Sequence, residues 1–239
     1  MSKKYPVIAI TGSSGSGTST VRESFQHIFT RDGIDADIIE GDAFHRYERH
    51  EMDELIKKNR HNSEIDFSHF SPDANLLSDL AKTFYQFGKN GKYRTRRYVH
   101  TEEQAIVFKQ KTGTMTPWED ASSELLFYEG LHGGYVGPGA DVAKHVDLLV
   151  GVVPIINLEW IQKLHRDNRV RGYSKEAVID TILNRMPDYI NYIAPQFSRT
   201  HINFQRVPMV DTSNPFIAKD IPNADESFVV IRFDDPKGV

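Results

Sequence analysis

Short apolar runs alternate along this chain with longer stretches of helical periodicity. Val7–Ile10, Asp37–Ile39, Leu125–Tyr128 and Leu148–Val153 are compact and partly β-branched. Such runs are the mark of strands buried on both faces of a parallel sheet. Val207–Val210 and Phe228–Phe233 predict two more strands. Between the runs, Ser19–Phe29, Asn75–Phe87, Leu158–Asp167 and Lys175–Tyr192 carry apolar residues at helical spacing. Strands alternating with helices predict an α/β fold, a doubly wound and mostly parallel sheet with helices on both faces. The pattern leaves strand order open. No repeat, low-complexity tract or Pro/Gly-rich linker divides the sequence, so residues 1–239 are expected to form a single domain.

Composition narrows the chemistry. The chain has 239 residues, of which 39% are hydrophobic and 26% charged, as in an ordinary globular protein. It contains no cysteine, which excludes disulfides, zinc–thiolate sites and a thiol nucleophile and fits a cytoplasmic protein. The opening MSKKYPVIAI is too short in its apolar part for a signal peptide, and no run approaches the ~20 residues a membrane span needs. With a net charge of -4 and a pI near 6.2, no global basic field draws in nucleic acid. Anion binding must come from local clusters.

The first such cluster follows the first strand. Gly12-Ser13-Ser14-Gly15-Ser16-Gly17-Thr18-Ser19-Thr20 lies between a predicted strand and a predicted helix, where a P-loop belongs. Its glycines free backbone N–H groups to surround phosphate oxygens, and the helix that follows adds its N-terminal partial charge. Ser19 occupies the position whose hydroxyl ligates magnesium. The usual pattern has a lysine where this chain has Thr18, so one cation must come from elsewhere. Taken alone, the string is equally compatible with a flexible Gly/Ser turn. With its flanking strand and helix it predicts a P-loop kinase fold that takes ATP and Mg2+.

Two acids stand at predicted strand ends. Asp42 follows Ile38-Ile39-Glu40-Gly41, and Glu129 follows Leu125-Leu126-Phe127-Tyr128. Phosphoryl transfer needs one carboxylate for the metal shell and one to take the proton of the attacking hydroxyl. Glu129 suits the metal and Asp42 the base; each taken alone is also an acceptable turn or cap residue. Past Asp42, His45 and Arg49 are spaced to share one helical face. In the basic stretch Lys92–His100, Tyr98 and His100 would point the same way if extended. Such groups fit a phosphate flanked by hydroxyls. A solvated basic face and an RNA-binding strip are the competing readings. Lys163, Arg166 and Asp167 fall at helical spacing in Asn157–Asp167, with Arg169, Arg171 and Gly172 beyond. A lid over residues 157–172 would bring the missing charge to the phosphates. A surface helix laced with salt bridges is the plain alternative.

Together these segments resemble the bacterial phosphoribulokinases, within the phosphoribulokinase/uridine kinase group of P-loop kinases. The resemblance covers nearly the whole chain. It rests on GSSGSGTST at 12–20, EGDAFHRY at 40–47, RRYVHT at 96–101, FYEGLHGG at 127–134, the stretch from Val146 to Arg171, and PQFSRTHINFQRVPMVDTSNPF at 195–216. It implies ATP-dependent phosphorylation of D-ribulose 5-phosphate at the C1 hydroxyl, with a nucleoside kinase or an inactive nucleotide-binding regulator as alternatives. By resemblance, Asp42 is the base and Glu129 a metal ligand. His45, Arg49 and Arg171 hold the sugar phosphate, with Tyr98 and His100 on the same side. Lys163 and Arg166 stabilise the phosphoryl charge, and Asp167 is a further essential acid. It also implies a homo-oligomer that responds to NADH and AMP, with Arg31, Arg185 and Arg232 as effector-site candidates. The chain stops short of the family's usual length, and membership alone does not establish a place in the Calvin cycle. The loop Asp211–Pro215 is the expected neighbour of the adenine.

Overall fold

A computed structural model describes residues 4–60, 67–169 and 172–235. Its strands are β1 (Val7–Thr11), β2 (Ala36–Glu40), β3 (Lys92–Thr95), β4 (Glu119–Ser122), β5 (Leu125–Gly130), β6 (Val136–Gly137), β7 (Ala140–Asp141), β8 (Leu148–Val152), β9 (Ile202–Pro208) and β10 (Ser227–Phe233). The principal helices are α1 (Thr18–Asp32), α2 (Arg49–Arg60), α3 (Leu77–Asn90), α4 (Glu102–Phe108), α5 (Ile156–Arg169) and α6 (Lys175–Asn184). Six strands form the central sheet in the order β10-β9-β8-β1-β5-β2, and β3 pairs with β4, and β6 with β7, in two small hairpins. Every neighbouring pair in the central sheet is parallel except β10 with β9. The expected doubly wound, mostly parallel α/β sheet is therefore observed. No helix of the described residues is long and apolar enough to cross a membrane.

Burial on both faces explains the continuous apolar runs. Leu126 and Tyr128 of β5 point to one face, where they join Ala9, Ile39, Leu80, Phe84 and Phe87. Leu125 and Phe127, one residue out of phase, point to the other and meet Ile10, Phe29 and Val150. Helix α3 covers the first face, and α1 covers the second with Phe25 and Phe29 against Phe127. Phe127 and Leu126 are fully buried, so each contributes roughly 2–3 kcal/mol of transfer free energy.

Two expected elements are corrected. The strand read at Val207–Val210 runs instead from Ile202 to Pro208, and Met209 and Val210 lie beyond it, 61% and 41% exposed. Its first half pairs with β8 through Ile202, Asn203 and Phe204. Asn203 is buried there and accepts a 2.6 Å hydrogen bond from the Thr200 hydroxyl. A satisfied polar residue inside a strand breaks the apolar run that marks it in sequence. The helix read over Lys175–Tyr192 ends at Asn184. Pro187 starts a new turn, followed by a wide turn at Tyr189–Ile193 and a tight one at Ala194–Ser198. Proline lacks the N–H that would continue the helix ladder.

Candidate active site

The C-terminal ends of β1, β2 and β5 open onto one cleft, the edge where open α/β sheets bind ligands. Its volume is about 550 Å³. Its walls are Gly12 to Gly15 and Gly17 to Ser19 of the first loop, Glu40 to Asp42, Glu129 to Leu131, Arg22 and His100, with Gln162 and Arg166 from α5.

The loop folds as its glycines require. Gly15 and Gly17 have φ of 106° and 105°, a conformation L side chains rarely adopt. Gly17 caps α1, which starts at Thr18. Gly15 lies against α5: a Cβ there would stand 3.2 Å from the Glu159 carbonyl oxygen and 3.3 Å from Lys163 Cβ. Gly15→Ala should weaken ADP binding about tenfold, since a strained backbone costs ~1–2 kcal/mol. Isothermal titration checks this, and unchanged affinity would show that the loop does not need its curled form.

On the far side, Gly41 and Gly130 bring the two acid-bearing strand ends together. A Cβ on Gly41 would lie 2.9 Å from Gly130 Cα, and one on Gly130 2.7 Å from Gly41 Cα. Asp42 therefore emerges from a 3-10 turn (Gly41–Phe44) close beside Glu129. The Asp42 carboxylate stands between two imidazoles, 3.3 Å from His45 Nε2 and 3.4 Å from His100 Nε2. Burial pushes the His45 imidazole below its usual pKa, and Asp42 opposes that. Burial pushes Glu129 up, opposed by the Thr18 hydroxyl and the Arg22 guanidinium.

Four of the residues expected on the substrate side, His45, Arg49, Tyr98 and His100, gather by a different local route. His45 and Arg49 do not share a helix. His45 ends the 3-10 turn in an extended conformation, and Arg49 opens α2. Tyr98 joins them: its ring is 5.7 Å from that of His45 and 4.8 Å from that of His100. The Arg49 guanidinium lies 6.0 Å from the Tyr98 ring centroid. Tyr98 and His100 do point the same way. Tyr98 bridges to Met115, which fixes the extended conformation of the segment. Arg171 lies outside the described residues.

Helix α5 presses its charged residues onto the loop. Arg166 donates from Nη2 to Ser14 Oγ at 2.9 Å and from Nε to Asp167 Oδ1 at 2.9 Å. Lys163 donates from Nζ to Asp167 Oδ2 at 2.6 Å and is only 6% exposed. Burial is the main reason that the Lys163 pKa falls to about 8, with nearby Arg185 adding to the fall and Asp167 resisting it. Burial would raise Asp167, but Lys163 and Arg166 outweigh it and hold the carboxyl below its ordinary value. Glu159, one turn before Lys163, is pushed up to about 7 by burial.

Several residues of this region escaped the sequence reading. Glu40 is the register partner of Glu129 across β2 and β5, and Arg22 pairs with both. His69 and His132 are buried behind His45; desolvation takes His69 well below its usual pKa and His132 to about 3. Arg22 had a legible signal, since it follows Thr18 by one helical turn. The buried histidines had none. The effector-site candidates stand on separate elements. Arg31 pairs with Asp32 at the exposed end of α1. Arg232 is on β10. Arg185 turns inward, 3.1 Å from His69 Nδ1.

Residues 7–213 match the model of the phosphoribulokinase/uridine kinase family. The plasmid-encoded phosphoribulokinase of Cupriavidus necator is 57% identical over 241 aligned residues, spanning 100% of this chain and 82% of the relative. The phosphoribulokinase of Sinorhizobium medicae is 57% identical over 240, spanning 100% and 83%. Among solved structures, phosphoribulokinase from Rhodobacter spheroides superposes with a TM-score of 0.88 at 52% identity, covering 100% of this chain and 83% of that one. The family and the P-loop kinase fold expected from the motifs are both confirmed. The chain belongs to the phosphoribulokinase/uridine kinase family.

Proposed function

We propose that the protein transfers the γ-phosphoryl group of ATP to the C1 hydroxyl of D-ribulose 5-phosphate, giving ADP and ribulose 1,5-bisphosphate. The observation that carries this reading is the place of Asp42. It lines the same cleft as the phosphate loop, and its carboxylate touches His45 and His100, which pack on Tyr98 beside Arg49.

In this reading Gly12 to Thr20 wrap the triphosphate. Asp42 takes the C1 hydroxyl proton as the oxygen attacks the γ-phosphorus, and the bond to the β–γ bridging oxygen breaks. His45, Arg49, Tyr98, His100 and Arg171 bind the sugar phosphate. Glu129 and Ser19 offer the hard oxygen donors that magnesium prefers, in the cleft beside the loop. Among the described residues no three His, Asp or Glu side chains converge as a cage, and magnesium held by one or two carboxylates plus phosphates needs none. When bound, the metal neutralises charge on the β- and γ-phosphate oxygens. Lys163 and Arg166 stand in for the loop lysine that Thr18 replaces. Residues 157–172 act as the lid, closing over the nucleotide and excluding water.

A coupled assay of ADP release tests the reading with ribulose 5-phosphate, uridine and cytidine as acceptors. We expect kcat/KM for ribulose 5-phosphate to exceed that for either nucleoside by roughly 10³ or more. A site built to pair with a phosphate leaves buried charges unmatched when the phosphate is missing. Preference for uridine would move the chain to the nucleoside kinases, and ATP binding without turnover on any acceptor would make it a regulatory protein.

A further inference from the structure

Arg22 is the cation in the cleft that the proposed reaction leaves unused. It projects from α1 one turn beyond Thr18, on the same face of the helix. Its Nη1 stands 3.2 Å from Glu40 Oε1 and 3.3 Å from Glu129 Oε2. Those acids are direct register partners on adjacent parallel strands. Two carboxylates so placed repel one another unless a cation sits between them.

The cation that sits there is loosely held. Charge-assisted N–H···O bonds normally close to about 2.7–2.9 Å, and a guanidinium usually grips a carboxylate with two donors. Here one nitrogen is shared between two acids at longer distances. The buried Nε has no hydrogen-bond partner. The side chain is 24% exposed and lines the cleft. Lys163, by contrast, meets Asp167 at 2.6 Å.

We infer that Arg22 is the resident counter-cation of the Glu40–Glu129 pair, a positioning residue that keeps Glu129 aimed into the cleft before nucleotide arrives and yields it to the divalent metal when MgATP binds. The inference rests on the proposed role of Glu129 toward magnesium. It gives the enzyme a reason to take its metal with the nucleotide. The free site already holds a positive charge, and only a metal that brings its own phosphates displaces it.

The test is binding of Mn2+ alone to the nucleotide-free protein, read by electron paramagnetic resonance, without any acceptor or turnover. Arg22→Gln should bind Mn2+ about tenfold more tightly than wild type, because the metal no longer competes with a positive charge for the two carboxylates. Arg22→Lys, which keeps the charge, should stay close to wild type. Adding Glu40→Gln to Arg22→Gln should abolish the gain. The inference is overturned if Arg22→Gln binds Mn2+ no better than wild type, including the case where neither binds. It is equally overturned if Arg22→Lys gains as much as Arg22→Gln, or if the double variant keeps the gain. Failure of the kinase reading would appear separately, as absent turnover on ribulose 5-phosphate in the wild-type protein.

Discussion

Asp42→Asn should lower kcat by about three to four orders of magnitude, the upper range for removing a general base, while ADP binding stays within about twofold, well under ~1 kcal/mol. The asymmetry follows from what Asp42 touches. Its oxygens face His45 Nε2 and His100 Nε2, not the backbone of the phosphate loop. Asparagine keeps the shape of the turn Gly41–Phe44 but cannot accept the hydroxyl proton. In the proposed reaction the nucleotide is bound by Gly12 to Thr20, which the substitution leaves untouched. Steady-state kinetics with ribulose 5-phosphate and calorimetry with ADP separate the two effects. A kcat within tenfold of wild type would remove Asp42 from the role of base, and a matching loss of ADP affinity would mean that the turn had moved.

Lys163→Met should cost about two to three orders of magnitude in kcat, as removal of one preorganised charge from a transition state does. Lys163 is buried beneath Gly15 and pairs with Asp167, so the methionine keeps the packing and removes the charge and its hydrogen bond to Asp167, which still accepts from Arg166. A second signature comes from pH. The Lys163 pKa is lowered to about 8 by burial and by nearby Arg185. Raising the pH through that value strips its proton and its charge. The wild-type kcat/KM for ATP should therefore fall above about pH 8. In kcat the fall should come later, because bound phosphates favour the ammonium. Lys163→Arg should remove the alkaline limb, since a guanidinium stays protonated throughout. A profile flat to pH 9.5, or a limb that survives in Lys163→Arg, would show that this ammonium does not serve the reaction.

The sequence pattern reveals what is continuous and hides what is made by contact. Strands β1, β5 and β8 were legible because both faces are buried, so Val7–Ile10, Leu125–Tyr128 and Leu148–Val153 read as unbroken apolar runs. β9 was misplaced because Asn203 is buried and satisfied by Thr200, which no periodicity records. Helix α2 is hard to read because its apolar stripe is only Met52, Leu55 and Ile56 in an otherwise charged segment. At the site, the spacing rules found the phosphate loop, both strand-end acids and the charged face of α5. They erred on how His45 and Arg49 meet, since the two are joined through Tyr98 rather than by a shared helix turn. Glu40 was passed over because its importance lies in its register with Glu129. His69 and His132 were passed over because lone histidines carry no pattern.

The proposed chemistry depends on α5 replacing the loop lysine that is absent at Thr18. A crystal structure with Mg·ADP–aluminium fluoride and ribulose 5-phosphate addresses that directly. The metallofluoride should lie between the Gly12–Ser19 loop and Asp42, with Lys163 Nζ and Arg166 within about 2.7–3.1 Å of its fluorides or of the phosphate oxygens. A nucleotide seated away from that loop, or a Lys163 that remains on Asp167 alone while the phosphates are bound, would contradict it.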